Sequence, residues 1–580
     1  MLNRRIFLGG LSASLPLLAM PGAGIAQGRS PRLHVMIVGM NTYAGLDGLG
    51  HPIQNLKGCQ NDAAGIEAQV KRFKPATLTR LGWDATANEE RAVTRAVFIR
   101  TWEQTLAAAQ RGDTLLLTYA GHGSRIAAAD TSSEADGRDD VLVLTRWKAS
   151  DERDRAEHII DDELRVMFDA AAAKGVIVVF VADSCHSGTL TRALDPLAGG
   201  GQTFRYAPEA PRQPRDLKSV SREAPAPGPR PELPPNMVFF AGALETQVVP
   251  EIADSAGQHH GALSMAFAQA LGGEAVTADG VITVRSLQQF VLQRARLLSE
   301  GVQNPRRRPT RVARVGEGIT DETRLFVPAS DTPVTDPPPR PTSHAVRLYI
   351  KGRSAADAAG IVRHLRGVAL AASEDGATLV WLAEQKVVLN GQGHRVAEKV
   401  GENDLQGAID CRAGLNRVVE LAASSGLNVQ VLIDGQDTPA SDASHRPGDK
   451  LAVKVTGLAD GEYLAVFNFT GTGEVQMLLP TPYHADNPTV ASFAGANFNT
   501  GVQVYDTARS VPDIHVGEPF GADHVIAVAG RRPLTRLMAA LKASNAQLGT
   551  TDVVNALATE KTAVGQNVKI GLRGIFTARS

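Results

Sequence analysis

Two short stretches carry side chains suited to nucleophilic chemistry, YAGHGS (119–124) and DSCHSG (183–188). Each follows a run of apolar residues of the kind that forms a buried strand: His122 comes after DTLLLTYAG, and Cys185 ends GVIVVFVADSC. A thiol attacks as its thiolate, and a neighbouring imidazole takes its proton, so a cysteine and a histidine are the smallest set that makes a cysteine nucleophile. The carboxyl ends of strands in an open α/β sheet are where ligand crevices form. If the two strands are neighbours, His122 and Cys185 face one cleft. The backbone amides of Gly123 and Cys185 would then hold a developing oxyanion, with glycine allowing close approach. Taken singly, each residue has a plain structural reading, a small buried hydrophobe for the cysteine and a turn residue for the histidine. Their joint occurrence at equivalent strand ends is what argues for a pair. His186 reads as structural, and a metal site of His122, Cys185 and His186 lacks a clear full ligand set.

The elements that must position this pair alternate along the chain. Strand patterns at LHVMIVGM (33–40), DTLLLTYAG (113–121), GVIVVFVADS (175–184) and NMVFFAGA (236–243) are interleaved with helical spacing. The helical stretches are NDAAGIEAQVKRF (61–73, capped by Asn61 or Asp62), EERAVTRAVFIRTWEQTLAAA (89–109), DDELRVMFDAAAA (161–173) and GALSMAFAQALGG (261–273). Such alternation predicts a mostly parallel sheet covered by helices on both faces. At 580 residues the chain exceeds one hydrophobic core. The expected division is an α/β domain over 32–327, a Pro-rich linker over 328–343, a small α/β segment over 344–435 and a β-rich, sandwich-like domain over 436–580. A second Pro-rich stretch, 207–236, interrupts the first domain.

Residues 1–26 read as an export signal of twin-arginine type, with Arg4 and Arg5 ahead of an apolar stretch and a cleavage site after Ala26. That places the mature protein in the periplasm or outside a bacterial cell. Charged residues are 21% of the chain and the formal net charge is −1, so no basic excess points to nucleic acid. The three cysteines, Cys59, Cys185 and Cys411, form no CxxC pair, which argues against a zinc ribbon or a disulfide framework. Cys411 reads as structural.

YAGHGS and DSCHSG resemble the two catalytic signatures of metacaspases, caspase-like cysteine peptidases of clan CD and family C14. The resemblance runs over about 32–327 and includes LKGCQNDAAGIEA, ADGRDDVLV, IIDDEL and FFAGALETQVVPE. It implies a caspase-like fold and cleavage after Arg or Lys, with Cys185 as nucleophile and His122 protonating the leaving amine. It also implies that Asp62 and Asp183 receive the basic side chain. Calcium activation is implied by Asp139, Asp161 and Asp162, but Arg192 stands where the family pattern wants a further carboxylate, and calcium needs six to eight oxygens. No cofactor is otherwise expected. The 207–236 insert, with Arg212, Arg215, Lys218, Arg222 and Arg230, falls where caspase-like enzymes join their two subunit segments, and is the expected site of self-cleavage. The expected partners are peptide or protein substrates, acted on by a monomer. The region near HRPGDKLAVKVTGL resembles a β-rich module of unknown function. The rival reading is a caspase-fold scaffold without activity, which both reactive residues argue against.

Overall fold

A computed structural model of the chain describes residues 29–127, 138–150, 157–185, 203–209, 236–242, 249, 251–254, 257–277, 279–298, 306–308, 319–328, 346–374, 377–391, 393–422, 427–433, 436–437, 448, 450–459, 461–479, 489, 502–503, 514–518, 520–563, 565 and 567–577. Residues 32–580 form one compact unit.

A six-stranded sheet organises the first part of the chain. Its strands are β1 (Leu33–Gly39), β2 (Thr77–Leu81), β3 (Thr114–Ala120), β4 (Ile177–Asp183), β5 (Met237–Ala241) and β6 (Arg306–Arg308), in the order β6-β5-β4-β3-β1-β2. The first five run parallel and β6 closes one edge antiparallel. Every residue of β1 and β3 is buried, as expected of parallel strands covered on both faces.

Side-chain alternation sorts these strands into two cores. Met36, Val38, Leu115, Leu117, Val178 and Phe180 pack on one face against Trp102 of α2 (Arg95–Ala108) and Phe168 of α3 (Asp161–Ala173). Val35, Ile37, Leu116, Val179 and Val181 pack on the other. That face is covered by Ile66 of α1 (Cys59–Val70), Phe267 of α4 (Ala262–Gln269) and Leu287 of α5 (Val284–Leu298). This is the parallel sheet covered on both faces that the alternation predicted, and it fits the caspase-like fold that the resemblance implied.

Two helix starts differ from expectation. α1 begins at Cys59 after Gly58, so neither Asn61 nor Asp62 caps it, and Asp62 lies in its first turn with its carboxylate engaged elsewhere. α2 starts at Arg95 because the Thr94 side chain accepts from the Val97 amide, while Glu89–Glu90 pair instead with Trp83–Asp84.

Among the described residues beyond 345 are three further five-stranded sheets. One runs through Val346–Lys351 and Leu379–Leu382, and another through Asn428–Ile433 and Lys450–Thr456. The third holds Tyr463–Thr470, Glu474–Leu479, Ala522–Gly530 and Lys569–Phe576. Helices Leu405–Leu421, Thr535–Ser544 and Thr550–Thr562 cover this last sheet through Val418, Leu541 and Leu557. The strand pattern of the sequence does not reveal these helices. Among the described residues no helix is long and apolar enough to cross a membrane.

Candidate active site

Register places the reactive pair. β3 and β4 are hydrogen-bonded neighbours with Ala120 opposite Asp183, so His122 and Cys185 each lie two residues past a matched pair. Both lie at the carboxyl edge of the sheet.

The backbone of His122 is pinned on both sides. Its amide donates to the Tyr43 hydroxyl at 2.9 Å, and its carbonyl accepts from the Tyr119 hydroxyl at 2.6 Å and the Val143 amide at 3.0 Å. This explains the glycine before it: a Cβ on Gly121 would come within 2.7 Å of the Tyr43 hydroxyl and 2.8 Å of that of Tyr119. The ring packs edge-on against Tyr43 with centroids 4.7 Å apart. Its Nε2 lies 2.7 Å from the Gln54 carbonyl oxygen. A carbonyl only accepts, so Nε2 carries the proton, and Nδ1, buried and without a hydrogen-bond partner among the described residues, keeps its lone pair. Burial holds the ring neutral, with its pKa lowered to about 4; the Gln54 carbonyl opposes that shift and the charge of Arg205 adds to it.

Cys185 is buried in a small cluster with Phe204, Tyr206 and Val249. Its amide and that of Gly123 both donate to one acceptor, the carbonyl oxygen of Arg205, each at 3.0 Å. Two amides converging on one oxygen just beside a thiol have the geometry of an oxyanion hole.

The side chain of Arg205 lies among carboxylates that include Asp62 and Asp183. Its guanidinium lies 2.5 Å from Asp62, 3.3 Å from Asp183 and 3.3 Å from Glu251, with all four side chains buried. Burial disfavours the charge on Arg205, but the negative groups around it more than offset this and hold its pKa well above the ordinary value. Burial pushes the Asp183 carboxyl up, against the pull of Arg205. The pocket is built on the amino terminus of α4, where the Ser264 amide donates to Asp183 and the Gly261 amide to Asp62. A Cβ on Gly261 would collide with both the Asp183 carboxylate and the Arg205 guanidinium, so glycine here leaves the pocket open. His260 flanks it, 3.2 Å from Asp62 and 3.6 Å from Asp254. Although burial opposes it, these two carboxylates raise its pKa to about 9.

The structure thus brings together His122, Cys185, Gly123, Asp62 and Asp183. Sequence reasoning missed Arg205 and Glu251. Glu251 ends the quoted stretch FFAGALETQVVPE without a role assigned to it, and Arg205 sits in TFRYAPE, which has no periodicity to mark it.

The calcium donors stand apart from this site. Asp139 is buried on the strand Arg138–Val143, and Asp161 and Asp162 occupy the first turn of α3, where acidic residues favour a helix start. Among the described residues no group of three or more His, Cys, Asp or Glu side chains is placed to hold a metal ion. His186, Arg192 and most of the 207–236 insert, including Arg212, Arg215, Lys218, Arg222 and Arg230, lie outside the described residues.

Residues 34–194 match the family model described as metacaspase, peptidase C14 domain, and residues 444–533 match one described as a domain of unknown function (DUF4384). The chain is 31% identical over 148 residues to metacaspase-1B of Aspergillus terreus, covering 25% of this chain and 37% of that protein. It is 27% identical over 274 residues to metacaspase-1B of Aspergillus oryzae, covering 41% and 60%, and 28% identical over 261 residues to that of Aspergillus niger, covering 39% and 56%. The chain therefore spans from about a third to three-fifths of the length of these curated relatives.

Proposed function

We propose, from the premise that residues 34–194 belong to the metacaspase peptidase C14 family, that the chain is a cysteine endopeptidase cleaving after Arg or Lys. The observation that carries this reading is Arg205. Its side chain meets three carboxylates while its carbonyl oxygen rests on the amides of Gly123 and Cys185. A basic residue so held presents its own peptide bond at the thiol.

In this reading the Cys185 sulfur attacks the carbonyl carbon and its proton passes to His122 Nδ1. The two amides stabilise the oxyanion. Collapse breaks the C–N bond, and His122 returns the proton to the leaving amine. Water then hydrolyses the thioester, giving a new carboxylate and the free thiol. Tyr43 and Tyr119 act as positioning residues through the His122 backbone.

Applied to the chain itself, the bond so presented is Arg205–Tyr206. Self-cleavage is then better placed there than among the basic residues of the 207–236 insert. Export to the periplasm or beyond, proposed from the Arg4–Arg5 leader, would bring the enzyme to proteins outside the cytoplasm.

The test is intact-mass and amino-terminal analysis of wild type and Cys185→Ala, beside peptides with Arg, Lys or Asp before a reporter. Wild type should yield a fragment beginning at Tyr206 and cut after Arg and Lys alone, and the variant should do neither. Identical fragments from both forms, or no cleavage of chain or peptide, would overturn the assignment.

A further inference from the structure

The segment Thr203–Glu209 lies along the cleft as a peptide would. The Glu251 amide donates to the Thr203 carbonyl at 3.1 Å and the Arg205 amide to the Val249 carbonyl at 3.0 Å, pairing it on one side. On the other side Gly123 and Tyr206 form a parallel bridge, with the Ala207 amide donating to the Gly123 carbonyl at 2.9 Å. The Ser124 hydroxyl and the Gly48 amide, both at 2.7 Å, then hold the carbonyls of Ala207 and Pro208. This is recognition by strand addition, in which main-chain bonds fix the register and side-chain pockets set the choice.

Three side chains of the segment occupy such places. Phe204, just before Arg205, and Tyr206, just after it, are both buried in the cluster formed with Val249 and Cys185. Glu209, four residues after Arg205, lies 3.3 Å from Arg138, whose own side chain is largely buried. We infer that the cleft selects, beyond the basic residue, an aromatic residue on each side of it and an acidic residue four positions after it, the last read by Arg138. The substrate class is therefore aromatic–Arg–aromatic segments with a following carboxylate. This inference rests on the peptidase reading.

The test uses the full-length chain and its Arg205→Gln variant, whose acidic pocket is free of its own guanidinium. Each is given the fluorogenic peptide Thr-Phe-Arg-Tyr-Ala-Pro-Glu and three relatives, with Ala for Phe, Ala for Tyr, or Gln for Glu. Loss of either aromatic should lower kcat/KM roughly 10- to 100-fold, the range for lost apolar contacts in a pocket. Loss of the carboxylate should lower it about 3-fold, as suits a partly exposed ion pair. Arg138→Gln should erase the preference for Glu over Gln, and Arg138→Glu should turn it towards a peptide with Lys there. That exchange of partners separates recognition from mere damage to the fold. Equal rates for all four peptides would overturn the inference and leave the peptidase assignment standing. No cleavage of any peptide by either form would overturn both.

Discussion

The cleft around Cys185 and the region beyond residue 345 each hold a histidine, a cysteine and an aspartate largely withdrawn from water. His122 in the cleft and His394 beyond it are both buried, and burial lowers both to about 4. Cys185 is matched by the buried Cys411, whose thiol burial pushes up to about 12. Asp183 is matched by Asp523, raised by burial to about 6 and hydrogen-bonded to Asn468 at 2.7 Å. Yet His394 stacks on Phe576, while Cys411 packs among Leu415, Val418 and Phe467. What distinguishes the cleft is convergence: two amides and three carboxylates meet one residue, Arg205, whose neighbours Phe204 and Tyr206 cluster with Cys185. A perturbed titration marks burial, and a function needs groups aimed at a common point.

The sharpest way to break this contrast is to remove one histidine at a time. His122→Ala should lower kcat/KM on an Arg peptide by about 1,000-fold, within the range for lost acid–base catalysis. His394→Ala should leave the rate within about 2-fold and lower the melting temperature, because it opens a cavity beside Phe576. Comparable losses of rate in the two variants would erase the distinction.

Gly261→Ala comes next. The added methyl collides with Asp183 and with the bound guanidinium, so cleavage of Arg peptides should fall about 100-fold while the sheet survives. An unchanged KM for those peptides would show that the pocket does not receive the basic side chain.

A third test concerns pH, and there the two regions should agree. An unfolded histidine titrates near 6.5, so between that value and about 4 the unfolded chain binds the protons that buried His122 and His394 refuse. Stability should therefore fall as pH drops through this window, by about 3 kcal/mol for each ring. His260 has the opposite sign: its pKa is raised to about 9, so its contribution is complete below 6.5 and fades as pH rises through 9. Chemical denaturation of Cys185→Ala across pH 4 to 9 reads both limbs, and removing His260 should flatten only the alkaline one.

The parts of this molecule legible in the sequence were those written in period and punctuation. The apolar runs of β1, β3 and β4, interleaved with helical stretches, gave the sheet, and the ends of two of those runs marked the positions of His122 and Cys185. The neighbouring register of Ala120 and Asp183 then follows from parallel pairing. Arg205 and Glu251 were not legible because their roles depend on contacts with Asp62 across 143 residues and with each other across 46. Asp62 shows the opposite hazard: its position beside a helix start made it look like a cap, yet its carboxylate is spent on Arg205 and the Gly261 amide.

Arg205 follows Cys185 in the same chain, only twenty residues on. A cut after Arg205 would therefore leave the new carboxyl end covalently leashed to the nucleophile. A short leash keeps its end at an effective concentration of about millimolar. Scission alone would then not empty the pocket, and an outside substrate would have to outcompete a resident product. Such an enzyme behaves as a threshold device, silent towards scarce targets and responsive to abundant or tightly held ones.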